Sequence, residues 1–159
     1  MGSRSKIDDA YIAEFLDGDG SLMLQIKKRK DGISKFRFMS TICFYQDTRH
    51  KNGLHWIQEV LDKGYLSDRN DGMSELRIQG YGTARNILVK RKPYLKFKKS
   101  QVEALLQACE ILSSTKYKML NREHKAKLVE LILTIQKENY VAKKKKTRTE
   151  LLRILGLTP

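Results

Sequence analysis

Apolar residues recur at helical spacing near the start of the chain, at Tyr11, Ile12, Phe15 and Leu16, and the run stops in Asp17-Gly18-Asp19-Gly20. The spacing predicts a helix that buries one face, with Asp8 or Asp9 as N-cap and Gly18 and Gly20 ending it. From Ser21 to Lys30 the period changes to two: Leu22, Leu24 and Ile26 fall on one side, and Met23, Gln25, Lys27 and Arg29 on the other. That is a strand covered on one face only. Asp31-Gly32 is a hairpin signal, and the return strand, Lys35 to Gln46, turns Phe36, Phe38, Ile42 and Phe44 inward with Ser40 among them. Lys35, Arg37, Met39, Thr41 and Cys43 then face outward.

Leu54, Ile57, Val60 and Leu61 mark an amphipathic helix from Asn52 to Asp62, with Trp56 at its edge and Lys63-Gly64 closing it. A second hairpin follows, Tyr65 to Arg69 and Ser74 to Gln79 about the turn Asn70-Asp71-Gly72. Leu66, Leu76 and Ile78 alternate there with Ser67, Arg69, Glu75, Arg77 and Gln79. Tyr81 to Lys92 reads as a short helix burying Ile87 and Leu88, which Pro93 ends. Helices from Ser100 to Leu112, Ser114 to Val141 and Thr147 to Leu155 complete the chain, with the basic run Lys143 to Arg148 as a solvated tether. Two hairpins between helices give an α+β fold: four antiparallel strands, helices on the apolar face, the polar face free.

Charge changes what that free face is for. The chain has 159 residues, a net charge of +14 and an isoelectric point near 9.8, a balance that points to nucleic acid. The outward strand positions combine arginine and lysine with glutamine and glutamate. Arginine and lysine match guanine acceptors, glutamine pairs with adenine and glutamate accepts from cytosine. Gln25, Lys27, Arg29, Lys35, Arg37, Arg69, Glu75, Arg77 and Gln79 are the candidate contacts. Met39 and Thr41 lie in the same row, where Met39 and Cys43 either touch thymine methyls or pack at the edge. Cys43 and Cys109 form neither a disulfide framework nor a zinc pattern, and His50, His55 and His124 are too scattered for a metal site. A reducing compartment is the expected setting, with organelle and prokaryotic cytoplasm both open. No stretch approaches membrane-spanning length, no signal region opens the sequence, and residues 1–5 read as a disordered cloning scar.

Asp17 and Asp19 sit where the helix dipole disfavours negative charge, and such a site wants a cation. The run Ile12 to Gly20, Ile-Ala-Glu-Phe-Leu-Asp-Gly-Asp-Gly, followed by Ser21, resembles the motif that names the LAGLIDADG homing endonucleases. The element order resembles that family's αββαββα core over residues 6–112, with residues 113–159 as C-terminal helices and a basic tail of the same domain. The resemblance implies a saddle-shaped sheet in the major groove of double-stranded DNA and, with one motif copy, a homodimer paired through the motif helix. Tyr11, Ile12, Glu14, Phe15 and Gly18 would form that interface; Glu14 departs from the family pattern, which has glycine there. It implies Mg²⁺, replaceable by Mn²⁺, on Asp19 and the backbone near Gly18, while Asp17 serves the helix cap and turn. Gln46 would orient water, Lys98, in the segment Pro93-Tyr94-Leu95-Lys96-Phe97-Lys98, would stabilise charge at the phosphate or tune that water, and His50 matches the family's basic residue about a turn after Gln46; the competing reading makes Lys96 and Lys98 ordinary phosphate clamps. The expected activity is staggered, site-specific cleavage of a long pseudo-palindromic duplex, with an intron-encoded origin, no membrane partner and no small-molecule substrate. The alternative is a non-catalytic relative, such as an RNA-splicing maturase or a DNA-binding regulator.

Overall fold

The computed structural model describes residues 6–30, 35–139 and 144–157. The expected Asp31-Gly32 turn, residues 1–5 and the start of the basic run at Lys143 lie outside them. The elements are α1 (Lys6–Asp19), β1 (Gly20–Lys28), β2 (Phe36–Asp47), α2 (Asn52–Leu61), β3 (Tyr65–Asp68), β4 (Met73–Gln79), α3 (Tyr81–Arg91), α4 (Lys99–Ser114), α5 (Arg122–Glu138) and α6 (Arg148–Ile154). Short 3-10 turns stand at Thr48–His50, Lys92–Tyr94 and Tyr117–Met119.

The four strands make one antiparallel sheet in the order β1-β2-β4-β3. Because side chains alternate along a strand, one register decides which face is apolar. Leu24 opposite Ser40, Leu22 opposite Ile42 and Phe44 opposite Leu76 set that face. Leu22, Leu24, Ile26, Phe38, Ile42, Phe44, Leu76 and Ile78 are buried there. α1, α3 and α4 cover it, α5 packs on β1 and α4, and α6 rests on α5. β1 is an edge strand, and its Leu22 carbonyl accepts the Asn139 side-chain amide at 3.1 Å, so the end of α5 satisfies part of an edge that would otherwise stay open.

Three expectations need correction. The single helix from Ser114 to Val141 is broken. Thr115 is extended, Leu120 is buried, and Asn121 restarts the chain as the N-cap of α5 in a capping box with His124. The His124 N–H donates to Asn121 at 2.8 Å. Tyr117, 6.0 Å from Phe38, anchors the break on the sheet. Second, Asp8 and Asp9 lie inside the first turn of α1 rather than capping it. Asp9 pairs at 2.7 Å with Arg91, a residue 4% exposed at the end of α3. Third, Thr41 and Cys43 do not face solvent: both are 0% exposed on the polar side of the sheet. β2 is a central strand there, with Thr41 between Met23 and Gln79, and Cys43 between Ser21 and Arg77.

Candidate active site and nucleic-acid interface

α1 turns Ile12, Ala13, Leu16 and Asp17 into the core and ends at Asp19 on the surface. The turn into β1 is tight. A Cβ on Gly20 would lie 2.8 Å from the Cα and carbonyl oxygen of Leu16, so only glycine lets the strand leave the helix this abruptly. Gly20 pairs with Phe44, which places the end of β2, carrying Gln46, beside the helix tip.

Asp17 and Asp19 have opposite surroundings. Asp17 is 7% exposed, and its carboxylate accepts the backbone N–H groups of Lys96 at 2.6 Å, Phe97 at 2.9 Å and Lys98 at 2.8 Å. Burial pushes its pKa up, but those three donors and the Lys98 charge outweigh burial, and the carboxyl ends below its ordinary value. Asp17 is therefore not a helix cap: it ties a distant segment to α1. Lys98 turns back, and its ammonium donates to the Asp17 carbonyl at 2.5 Å. Burial lowers the Lys98 pKa, against the opposing pull of Asp17 and Asp19. Asp19 is exposed and receives no hydrogen bond or ion pair from the described residues.

That contrast bears on a divalent ion. The described residues contain no group of three or more histidine, cysteine or acidic side chains that could hold one. One chain offers the Asp19 carboxylate and the last-turn carbonyls of α1, Gly18 among them, which lack helical partners. These are hard oxygen donors of the kind Mg²⁺ takes, in the small number it takes from protein when phosphate and water supply the rest. The residues fit the ion as half of a shared site.

Gln46 is half-buried, and its Oε1 accepts the N–H of Asp47 at 2.9 Å. It lines a groove of ≈ 370 Å³ with Ile7, Tyr11, Phe15 and Trp56. His50 is exposed at the end of the turn that Asp47 caps, and no described contact joins it to Asp19. Of the expected interface on α1, Tyr11 is 58% exposed and stacks edge-on against Trp56 at 5.4 Å. Glu14 and Gly18 are exposed, and Phe15 is half-buried 6.1 Å from Phe44. Ile12 is corrected: at 0% exposure it belongs to the protomer's core and has nothing to offer a partner.

Among the candidate contacts, Lys27, Arg37 and Gln79 on the strands, Arg29 and Lys35 at the strand ends, and Lys96 before α4 are exposed, and Gln25 and Met39 half-exposed. Thr41 is the exception, buried with its hydroxyl unpartnered. Arg69 bonds Asp71 at 2.7 Å and Arg77 bonds Glu75 at 3.1 Å. Glu75, only 14% exposed, is committed to Arg77 and is not free to read a base by itself. The sequence reading missed this pairing, although a period-two strand always puts residues 75 and 77 on one face. It also missed Phe97, 86% exposed between two lysines.

No protein-family model matches the chain. It is similar to DNA endonuclease I-CvuI of Chlorella vulgaris, 36% identical over 107 residues that make up 67% of this chain and 66% of that one. It is also similar to DNA endonuclease I-CreI of Chlamydomonas reinhardtii, 31% identical over 106 residues, 67% of this chain and 64% of that one. The aligned segment thus spans just under two thirds of each curated relative. The crystal structure of the homing endonuclease I-CvuI with its target in the presence of calcium matches with a TM-score of 0.77 at 28% identity. That match covers 97% of this chain and 98% of the other.

Proposed function

The chain belongs to the LAGLIDADG homing endonuclease family, and from that premise we propose that two copies form a homodimer cutting double-stranded DNA at a long pseudo-palindromic site. The observation that carries this reading is the exposed carboxylate of Asp19, unpaired among the described residues, at the tip of a helix that buries one face in the core. A two-fold pairing of α1 through Tyr11, Glu14 and Gly18 brings two such tips to one axis, one for each strand of a duplex.

A divalent cation, assigned as Mg²⁺ with Mn²⁺ able to replace it, supplies charge relief at the scissile phosphate and a more acidic attacking water when bound. Asp19 and the Gly18 carbonyl hold it. Lys98, turned toward the helix tip by its bond to Asp17, sets a positive charge for the phosphate as negative charge builds there. Gln46, beside that tip in the strand register, orients water. His50 serves the outer edge of the site. The exposed basic and amide side chains of the sheet grip phosphates and read base edges, with Arg77 and Glu75 acting as one unit. Free, buried Cys43 and Cys109 suit a reducing compartment. A maturase or regulator would use the same sheet with no call for Asp19, and the presence of Asp19, Gln46 and Lys98 together favours the nuclease.

Selection of cleaved duplexes from a randomised library, run with Mg²⁺ and with Ca²⁺, gives the site, its symmetry and the metal requirement together. On the selected duplex, Asp19→Asn should bind as the unaltered chain does and fail to cut. Cleavage by the purified variant would remove Asp19 from the role assigned to it.

A further inference from the structure

We propose that Asp17 is a positioning residue for the reaction, the group that fixes Lys98 beside Asp19. The inference rests on the endonuclease reading and deepens it. The segment that carries Lys98 follows the Lys92–Tyr94 turn and precedes α4, and it reaches α1 from about eighty residues away in sequence. Two anchors hold it: Leu95 is wholly buried, and the three successive N–H groups of Lys96, Phe97 and Lys98 converge on one carboxylate. Backbone donors aimed at a buried anion make strong, charge-assisted bonds, and the anion here is a side chain of the motif helix itself.

Lys98 is then held at both ends by one residue. Its backbone N–H meets the Asp17 carboxylate and its ammonium meets the Asp17 carbonyl. A lysine normally swings on a flexible four-carbon stem; here the stem spans two fixed points, and the charge is delivered to the helix terminus that exposes Asp19. The carbonyl is main chain and any residue at 17 would supply it; what the Asp17 carboxylate adds is the fixed placement of the backbone of Lys96, Phe97 and Lys98, from which the ammonium reaches that carbonyl. Asp17 thus touches neither phosphate nor metal and acts through Lys98.

A double-mutant cycle tests the role, on the selected duplex in single-turnover cleavage at saturating protein, with duplex affinity measured in Ca²⁺. Asp17→Asn should slow cleavage roughly 10- to 100-fold with affinity unchanged, and should add nothing further in a Lys98→Met background. An additive cycle, or an Asp17→Asn variant that cuts at the original rate, overturns the proposal. If the cycle is additive while Asp19→Asn remains inactive, the positioning role fails and the endonuclease reading stands. If Asp19→Asn cuts, it is that reading which fails.

A second measurement needs no DNA. Trace acetylation read by mass spectrometry should find Lys98 protected relative to exposed Lys96 in the unaltered chain. It should find the two alike in Asp17→Asn, while Cys43 and Cys109 stay closed to a thiol reagent as proof of an intact fold. Lys98 remaining protected in that variant contradicts the proposal.

Discussion

Alanine in place of Gly18 should strengthen each protomer and weaken the dimer, and the opposed signs make the substitution informative. Gly18 lies in the last turn of α1, and a Cβ built on it meets nothing within 4 Å. Inside one protomer the change removes the backbone entropy that glycine loses in a helix, a gain of about 0.5–1 kcal/mol. If α1 crosses its two-fold mate at this point, two new methyl groups meet where two bare backbones did. Overpacking a close contact costs about 1–3 kcal/mol, a dimer weakened roughly 5- to 150-fold. Sedimentation across a concentration series measures the dimer constant, and denaturant unfolding at concentrations below it measures the protomer. Cleavage should fall at low protein concentration and recover at high. A dimer constant that is unchanged, or tighter, would show that α1 does not pair through Gly18. Gly20→Ala is the control: its Cβ would sit 2.8 Å from Leu16 backbone atoms, so it should destabilise the protomer itself. Glu14 shares the exposed face and has no hydrogen-bond or ion-pair partner among the described residues. Glu14→Gln should therefore tighten the dimer, by less as salt rises.

Three further outcomes follow from the packing. Arg91→Met strips the partner from Asp9, which is itself 25% exposed, and should cost about 1.5–3 kcal/mol in denaturant unfolding; a loss within a few tenths of that of a surface lysine would show the pair to be idle. Glu75→Gln loosens the pair with Arg77 and should shift base preference at the positions Arg77 addresses by about 1–3 kcal/mol, measured on single-base duplex variants, with overall affinity kept. Burial pushes the Cys109 thiol from 9.0 up to about 11, so its contribution to stability is complete below pH 9 and lost as pH rises toward 11, about 2–3 kcal/mol in all. The alkaline slope of stability should flatten in Cys109→Ala, and an unchanged slope would refute the assignment.

What could be read from the chain in advance is what local periodicity encodes. Leu22, Leu24 and Ile26 alternate with polar residues because a single sheet face is covered, and the same logic placed Leu76 and Ile78. Most of the errors involve partners far away in sequence. Tyr11 and Ile12 are adjacent, about 100° apart on a helix, and the buried stripe of α1 takes Ile12 with Ala13 and leaves Tyr11 at its exposed edge, a choice made by the core rather than by the pattern. Thr41 and Cys43 have the right parity for an outward face, yet strands on both sides close over them. Asp9 looked like a cap because nothing near it in the chain announces Arg91. The break before α5 did carry a local signal, since Asn121 with His124 three residues on is a capping pattern, but it lay inside an apolar run that suggested one continuous helix.

The same distinction explains why two aspartates in one motif have such different chemistry. Positions two apart on an α-helix are separated by about 200°, so when Asp17 points into the protein, Asp19 must point out of it. The inward carboxylate is wholly consumed by three backbone donors from a remote segment, which leaves it no lone pair of consequence for a metal. The outward one receives no hydrogen bond or ion pair from the described residues. Helical geometry sorts an acidic pair into a fastener and a ligand, and the fastener is also what brings the cation of Lys98 to the ligand's side. The motif's spacing therefore already contains the division of labour, and only the identity of the fastened segment had to wait for the fold.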